Sequence, residues 1–169
     1  MAERPGRVTV IGLGNPLMGD DGLGLRARER LISSWSLSPG VELVDGGTWG
    51  MNLLPIIEDA SSLLFIDAVD NGMPAGTPIV LSGDEIPRAL AHKISPHQVD
   101  LSEVLAVAQL RGTLPKRMTL IGLQPERVEL GEGLSAPVEA GLDGLVTMAA
   151  HHLRLWGHTC EPREVTASA

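Results

Sequence analysis

The stretch from Val8 to Gly24, reading Val-Thr-Val-Ile-Gly-Leu-Gly-Asn-Pro-Leu-Met-Gly-Asp-Asp-Gly-Leu-Gly, restricts the fold more than any other part of the chain. Val8, Val10 and Ile11 are β-formers, the glycines with Pro16 mark a turn, and from Leu23 the apolar spacing becomes helical. The stretch therefore predicts a strand, a loop and a helix, with Asp20 and Asp21 at the joint. In an open parallel sheet ligands bind beyond the carboxyl ends of strands, so acids just past a strand are well sited for chemistry.

The rest of the chain continues the alternation. The first strand is expected over Val8 to Leu13, and the first helix from Asp20 or Asp21 to Ser33, with Leu23, Ala27 and Leu31 recurring every four positions. Val41 to Val44 predicts a short strand ending at Asp45. Trp49 to Asp59 predicts a helix that Pro55 kinks or restarts. Ser61 to Ala68, apolar up to Asp67, has the pattern of a central strand covered on both faces. Thr77 to Leu81 suits an edge strand because Pro78 lies near its start.

The segment Gly83 to Lys93 is polar and ambiguous. Asp100 and Glu103 have capping-box spacing before a helix over Leu101 to Leu110, which Gly112 ends. Met118 to Leu123 is the fifth strand, and Gln124 to Leu134 a glycine-punctuated loop. A last helix begins at Pro137, with Val138, Leu142, Leu145, Val146, Ala149, Leu153 and Trp156 on one face. The expected architecture is a three-layer α/β sandwich: about five strands in a mostly parallel or mixed twisted sheet, flanked by helices in the manner of phosphorylase/hydrolase-like folds. Residues 1–157 are expected to form one domain and 158–169 a frayed, flexible tail.

Bulk properties narrow the partners. At 169 residues the chain fits one domain with a real core. Hydrophobic residues make up 43% but aromatic ones only 2%, so that core must be aliphatic. A net charge of -8 argues against nucleic acid and anionic membranes, which call for a basic face. The single cysteine, Cys160, permits no internal disulfide. No apolar run approaches the roughly 20 residues of a membrane span, and the first seven residues lack the apolar core of a secretory leader. A cytoplasmic enzyme is the simplest expectation.

Three residues are candidates for one site: Asp21, Asp67 at the end of its apolar strand, and His97 in the loop Ile94-Ser95-Pro96-His97-Gln98. Two carboxylates and an imidazole form a donor set suited to a divalent transition metal such as nickel or zinc. Each also has a plainer reading. An acid in a glycine-rich turn before a helix commonly caps it, so Asp20 or Asp21 can serve as the N-cap. An acid ending an apolar strand is costly to desolvate unless it caps, pairs or ligates. His97 after Pro96 fits a helix start as well as a ligand, and Asp45 before Gly46 and Gly47 can simply organise a turn.

Taken together, the motifs resemble those of nickel-iron hydrogenase maturation endopeptidases. The matching blocks are Gly12-Leu13-Gly14-Asn15 with Asp20-Asp21-Gly22 and Gly24; Asp45-Gly46-Gly47-Thr48 with Gly50-Met51; Asp67-Ala68; Lys93 to Gln98; and Leu120-Ile121-Gly122 with Pro125-Glu126. Their order and separations make the set far more specific than any member. The resemblance implies an endopeptidase that trims the C-terminal extension of a hydrogenase large-subunit precursor once nickel is inserted. It implies that Asp21, Asp67 and His97 contact that nickel and are the catalytic residues; the adjacent acids can then fill both roles, Asp20 holding the helix start while Asp21 faces the cleft. It also places the Asp45, Gly46 and Gly47 loop beside the cleft, in a substrate-binding role. Nickel would arrive with the precursor, zinc or cadmium are ions able to fill the site of isolated protein, and the family is described as monomeric. The family uses Glu or Asp at position 21; Asp shortens that arm by one methylene.

No Gly-x-Ser-x-Gly elbow, His-Glu-x-x-His helix or convincing cysteine nucleophile is present in the sequence. A metal so placed would polarise the scissile carbonyl or lower the pKa of a water, with a carboxylate as base. Ligation needs neutral imidazole and ionised acids, so occupancy should fall at low pH. Without metal, two facing carboxylates repel, which would make cleavage conditional on loading. Three rival readings have identifiable markers. Gly12 to Pro16 is similar to the opening of peptidyl-tRNA hydrolases, but their Tyr-x-x-Thr-Arg-His-Asn continuation is missing and the chain has no tyrosine. A dinucleotide module would need glycine at position 17, which is Leu. A non-catalytic assembly chaperone would bind precursor without releasing a peptide.

Overall fold

The apolar runs become the strands. The computed structural model describes residues 6–47, 50–91 and 101–164, and within them Val8–Leu13 (β1), Trp35–Leu37 (β2), Val41–Gly47 (β3), Ser62–Ala68 (β4), Pro78–Ser82 (β5), Arg117–Leu123 (β6) and Cys160–Pro162 (β7) are extended. The helices are Leu23–Ser34 (α1), Leu54–Asp59 (α2), Glu85–Ala91 (α3), Leu101–Leu110 (α4) and Ala136–Leu155 (α5), with single 3-10 turns at Gly19–Gly22 and Gly50–Leu53. Pro55 occupies the first turn of α2, so it starts a new helix after the 3-10 turn.

The principal sheet has the order β3-β1-β4-β6-β5. β3, β1, β4 and β6 run parallel, and β5 pairs antiparallel to β6 at the edge, where the missing N–H of Pro78 is tolerated. Side-chain alternation along the buried strands divides the core. Val8, Val10, Leu64, Ile66, Ile121 and Leu123 face α1 and α5. Ile11, Leu13, Leu63, Phe65 and Leu120 face α2, α3 and α4. The result is the expected three-layer α/β sandwich, and its core is aliphatic apart from Phe65, whose complete burial contributes about 2–3 kcal/mol.

From β1 the chain winds outward to β3, then returns across the sheet to β4 on the other side of β1. The winding direction reverses between β1 and β4, and the crevice beyond their carboxyl ends is where such sheets bind ligands.

Two segments differ from the sequence expectation. Glu85–Ala91, ambiguous by pattern, is helical, with Pro87 in its first turn where an N–H is dispensable. Residues 158–164, expected to fray, instead include a strand: Cys160 pairs with Leu37, Glu161 with Ser36 and Pro162 with Trp35 in a two-stranded antiparallel sheet. Cys160 within that strand and His158 just before it are buried. Periodicity cannot reveal pairs of three-residue strands so far apart in the chain. No described helix is long and apolar enough to cross a membrane.

Candidate active site

The loop after β1 returns over the sheet and is held there by close backbone packing. Gly14 has φ +115°, and a Cβ at that position would lie 1.7 Å from the carbonyl oxygen of Asp21, so only glycine allows the loop to close so tightly. At the start of α1, a Cβ on Gly24 would fall 2.2 Å from the Ile66 carbonyl oxygen and 2.3 Å from that of Leu13. The helix thus begins directly upon the ends of β1 and β4. The Asn15 amide donates to Asp21 Oδ2 at 3.0 Å, and the Leu17 amide donates to Asn15 Oδ1 at 2.9 Å. Asp21 is partly exposed on this scaffold.

Asp20, the other acid of the pair, is completely buried. It does not cap the helix: neither the 3-10 turn nor α1 has a side-chain cap. Its Oδ2 accepts from the Glu126 amide at 2.8 Å, the Arg127 amide at 3.0 Å and the Ser135 hydroxyl at 2.7 Å, while Oδ1 accepts from the Ser135 amide at 2.7 Å. Burial opposes ionisation of this carboxyl, yet the four hydrogen bonds outweigh it and hold its pKa below the ordinary Asp value. The backbone adds to the seam, with the Gly19 amide donating to the Gly131 carbonyl at 2.8 Å and the Asp20 amide to that of Arg127 at 2.9 Å. Asp20 therefore ties the Asp21 turn to the loop between β6 and α5, a role its position in the sequence does not announce.

Asp67 lies at the carboxyl end of β4 with 1% of its surface exposed. The Ala68 amide donates to its Oδ1 at 2.8 Å, and its backbone pairs with Gly122 of β6. The loop that follows is clamped by Gln124, itself buried. Gln124 Oε1 accepts from the Asn71 and Met73 amides at 2.9 and 3.2 Å, and its Nε2 donates to Asp70 Oδ1 at 2.8 Å. That bond, with another from the Gly72 amide, keeps the Asp70 carboxyl below its ordinary pKa. Gln124 is a positioning residue that the sequence pattern, reading this segment as a loop, does not distinguish.

The Gly19–Gly22 turn packs against β4, so Asp21 and Asp67 belong to the same end of the sheet, at the reversal point between β1 and β4. Asp45 joins that end from β3, exposed and paired with Gly12. The register then shifts so that Leu13 opposes Gly47, which leaves Gly46 as the inserted residue of a bulge, buried 2.5 Å (as a Cβ) from Ile11 Cγ2. His97 lies outside the described residues, as do Thr48 and the rest of the Lys93 to Gln98 block. Among the described residues no group of three or more His, Cys, Asp or Glu side chains is placed to hold a metal ion. A cleft of about 270 Å³ flanks the turn, between Pro16, Leu17, Arg26 and Leu134, and neither Asp21 nor Asp67 lines it.

Comparison with known proteins shows the family. Residues 25–152 match the family described as hydrogenase maturation protease. The chain is 44% identical over 158 residues to the hydrogenase expression/formation protein HupD of Rhodobacter capsulatus, covering 92% of this chain and 75% of the relative. It is 38% identical to the hydrogenase 2 maturation protease of Escherichia coli, covering 94% of this chain and 97% of that one. The solved structure of the hydrogenase maturating endopeptidase HybD from E. coli superposes with a TM-score of 0.87 at 37% identity, over 93% of this chain and 98% of that one. The chain belongs to the hydrogenase maturation protease family and is an endopeptidase.

Proposed function

We propose that this endopeptidase removes the C-terminal extension of a nickel-iron hydrogenase large-subunit precursor, and that Asp21, Asp67 and His97 recognise nickel already seated in that precursor. The observation that carries the reading is the meeting of the Asp21 turn with the carboxyl end of β4 at the reversal point of the sheet. Two carboxylates from separate elements there offer oxygen ligands to a cation, and the imidazole of His97 supplies the nitrogen that completes a transition-metal donor set. The nickel is part of the substrate, so affinity for the precursor rises when the metal is loaded and mutual repulsion of the acids disfavours unloaded precursor.

Burial of Asp67 supports this assignment. A carboxylate removed from water retains its charge only with compensating partners, and the Ala68 amide already directs Oδ1. A carboxylate held in this way at the strand end offers an oxygen ligand to an arriving cation. Asp45 is exposed beside the bulge at Gly46 and Gly47, and in this reading that loop contacts the precursor segment. The test is trimming of nickel-loaded precursor by the His97→Ala variant. The expected result is a rate lower by about 10²-fold or more with an unaltered thermal midpoint; undiminished trimming removes His97 from the mechanism.

A further inference from the structure

The other end of the sheet carries a second concavity. The amino ends of β1, β4 and β6, with the turn after α5, enclose a cleft of about 460 Å³ whose walls include Ser61, Ser62, Lys116, Arg117, Trp156 and His158. Among the described residues two cations and no carboxylate line it, in a chain whose net charge is -8. The Arg117 guanidinium lies over the Trp156 ring, 5.5 Å from its centroid. That cation–π contact restrains the guanidinium at the cleft wall.

His158 is the telling member. It is 5% exposed. Its Nδ1 lies 3.3 Å from the Ser38 hydroxyl, and a Cβ on Gly40 would fall 2.9 Å from its Cε1. That edge of the ring is occupied by the segment between β2 and β3, and the residue also lines the cleft. Nε2 is buried and has no hydrogen-bond partner. Buried polar atoms are nearly always paired, and this unpaired one belongs to a residue that lines the basic cleft.

We propose that this cleft binds a small anion bearing a carboxylate or phosphate group. The planar fork of Arg117 matches either oxyanion, Lys116 adds a point charge, and the serine hydroxyls offer further hydrogen bonds. The volume is that of an ordinary small-molecule site. Lying at the amino end of the strands, it is separate from the carboxylates at their carboxyl end, and its occupancy does not depend on the nickel reading.

The experiment is an NMR titration of the full chain, following the His158 ring signals. The probes are inorganic phosphate and, separately, citrate, with sodium chloride at matched ionic strength as control. The expected result is a saturable shift with a Kd of about 1 mM or tighter for at least one probe. Saturation by phosphate alone assigns a phosphate ligand and by citrate alone a carboxylate. Arg117→Gln should weaken binding about tenfold or more while retaining the wild-type thermal midpoint. Failure of both anions to saturate, the same shift with chloride, or unchanged affinity in Arg117→Gln overturns the proposal.

Discussion

Adjacent aspartates divide the work at the first turn. Asp21 faces outward on a glycine-closed loop, whereas Asp20 points inward as the acceptor of four hydrogen bonds. Replacing Asp20 by Asn would keep one acceptor but set an amide N–H₂ against N–H and O–H donors. We expect Asp20→Asn to lower unfolding free energy by about 2–3 kcal/mol in urea titrations. The pH dependence follows from the depressed pKa. Asp20 contributes stability above its ordinary value of 3.8, and that contribution is lost as pH falls from there through the lower folded value. Unfolding midpoints measured across the acid range should therefore fall less steeply in Asp20→Asn than in wild type. The pair is legible in the sequence as acids at a strand–helix joint, but the role of Asp20 is not. Its partners lie 106 to 115 positions away, and local pattern favours the cap, which the structure does not contain.

At the scale of elements, the site depends on how closely α1 sits on the sheet. The Gly24 Cα is wedged against the Ile66 and Leu13 carbonyl groups at the ends of β4 and β1. Gly24→Ala should cost about 3 kcal/mol and reduce trimming more than stability alone explains, because it lifts the Asp21 turn from β4; kinetics under conditions where the variant is folded check this. Gln124 performs the equivalent task for the loop after Asp67. Gln124→Leu should raise hydrogen exchange at the Asn71 and Met73 amides selectively, since both donate to its side chain. The strands bearing this architecture were readable because a buried parallel sheet leaves continuous apolar runs such as Leu63 to Ile66. The β2 and β7 pair was not, because three residues per strand establish no period and only the folded chain brings Trp35 beside Pro162.

For the whole molecule, strand order decides where chemistry can occur. Nothing local in Val8 to Gly24 or in Ser62 to Asp67 states that these segments become neighbours; parallel pairing of β1 with β4 and the reversal of winding between them bring the Asp21 turn and Asp67 to one crevice. The central claim is that these two carboxylates and His97 share one ion. Its most direct test is a crystal of this protein soaked with zinc, located by anomalous scattering. The account predicts a single ion within about 2.0–2.2 Å of an oxygen of Asp21, an oxygen of Asp67 and a ring nitrogen of His97. An ion seated elsewhere, or held by only one of the three, would contradict it.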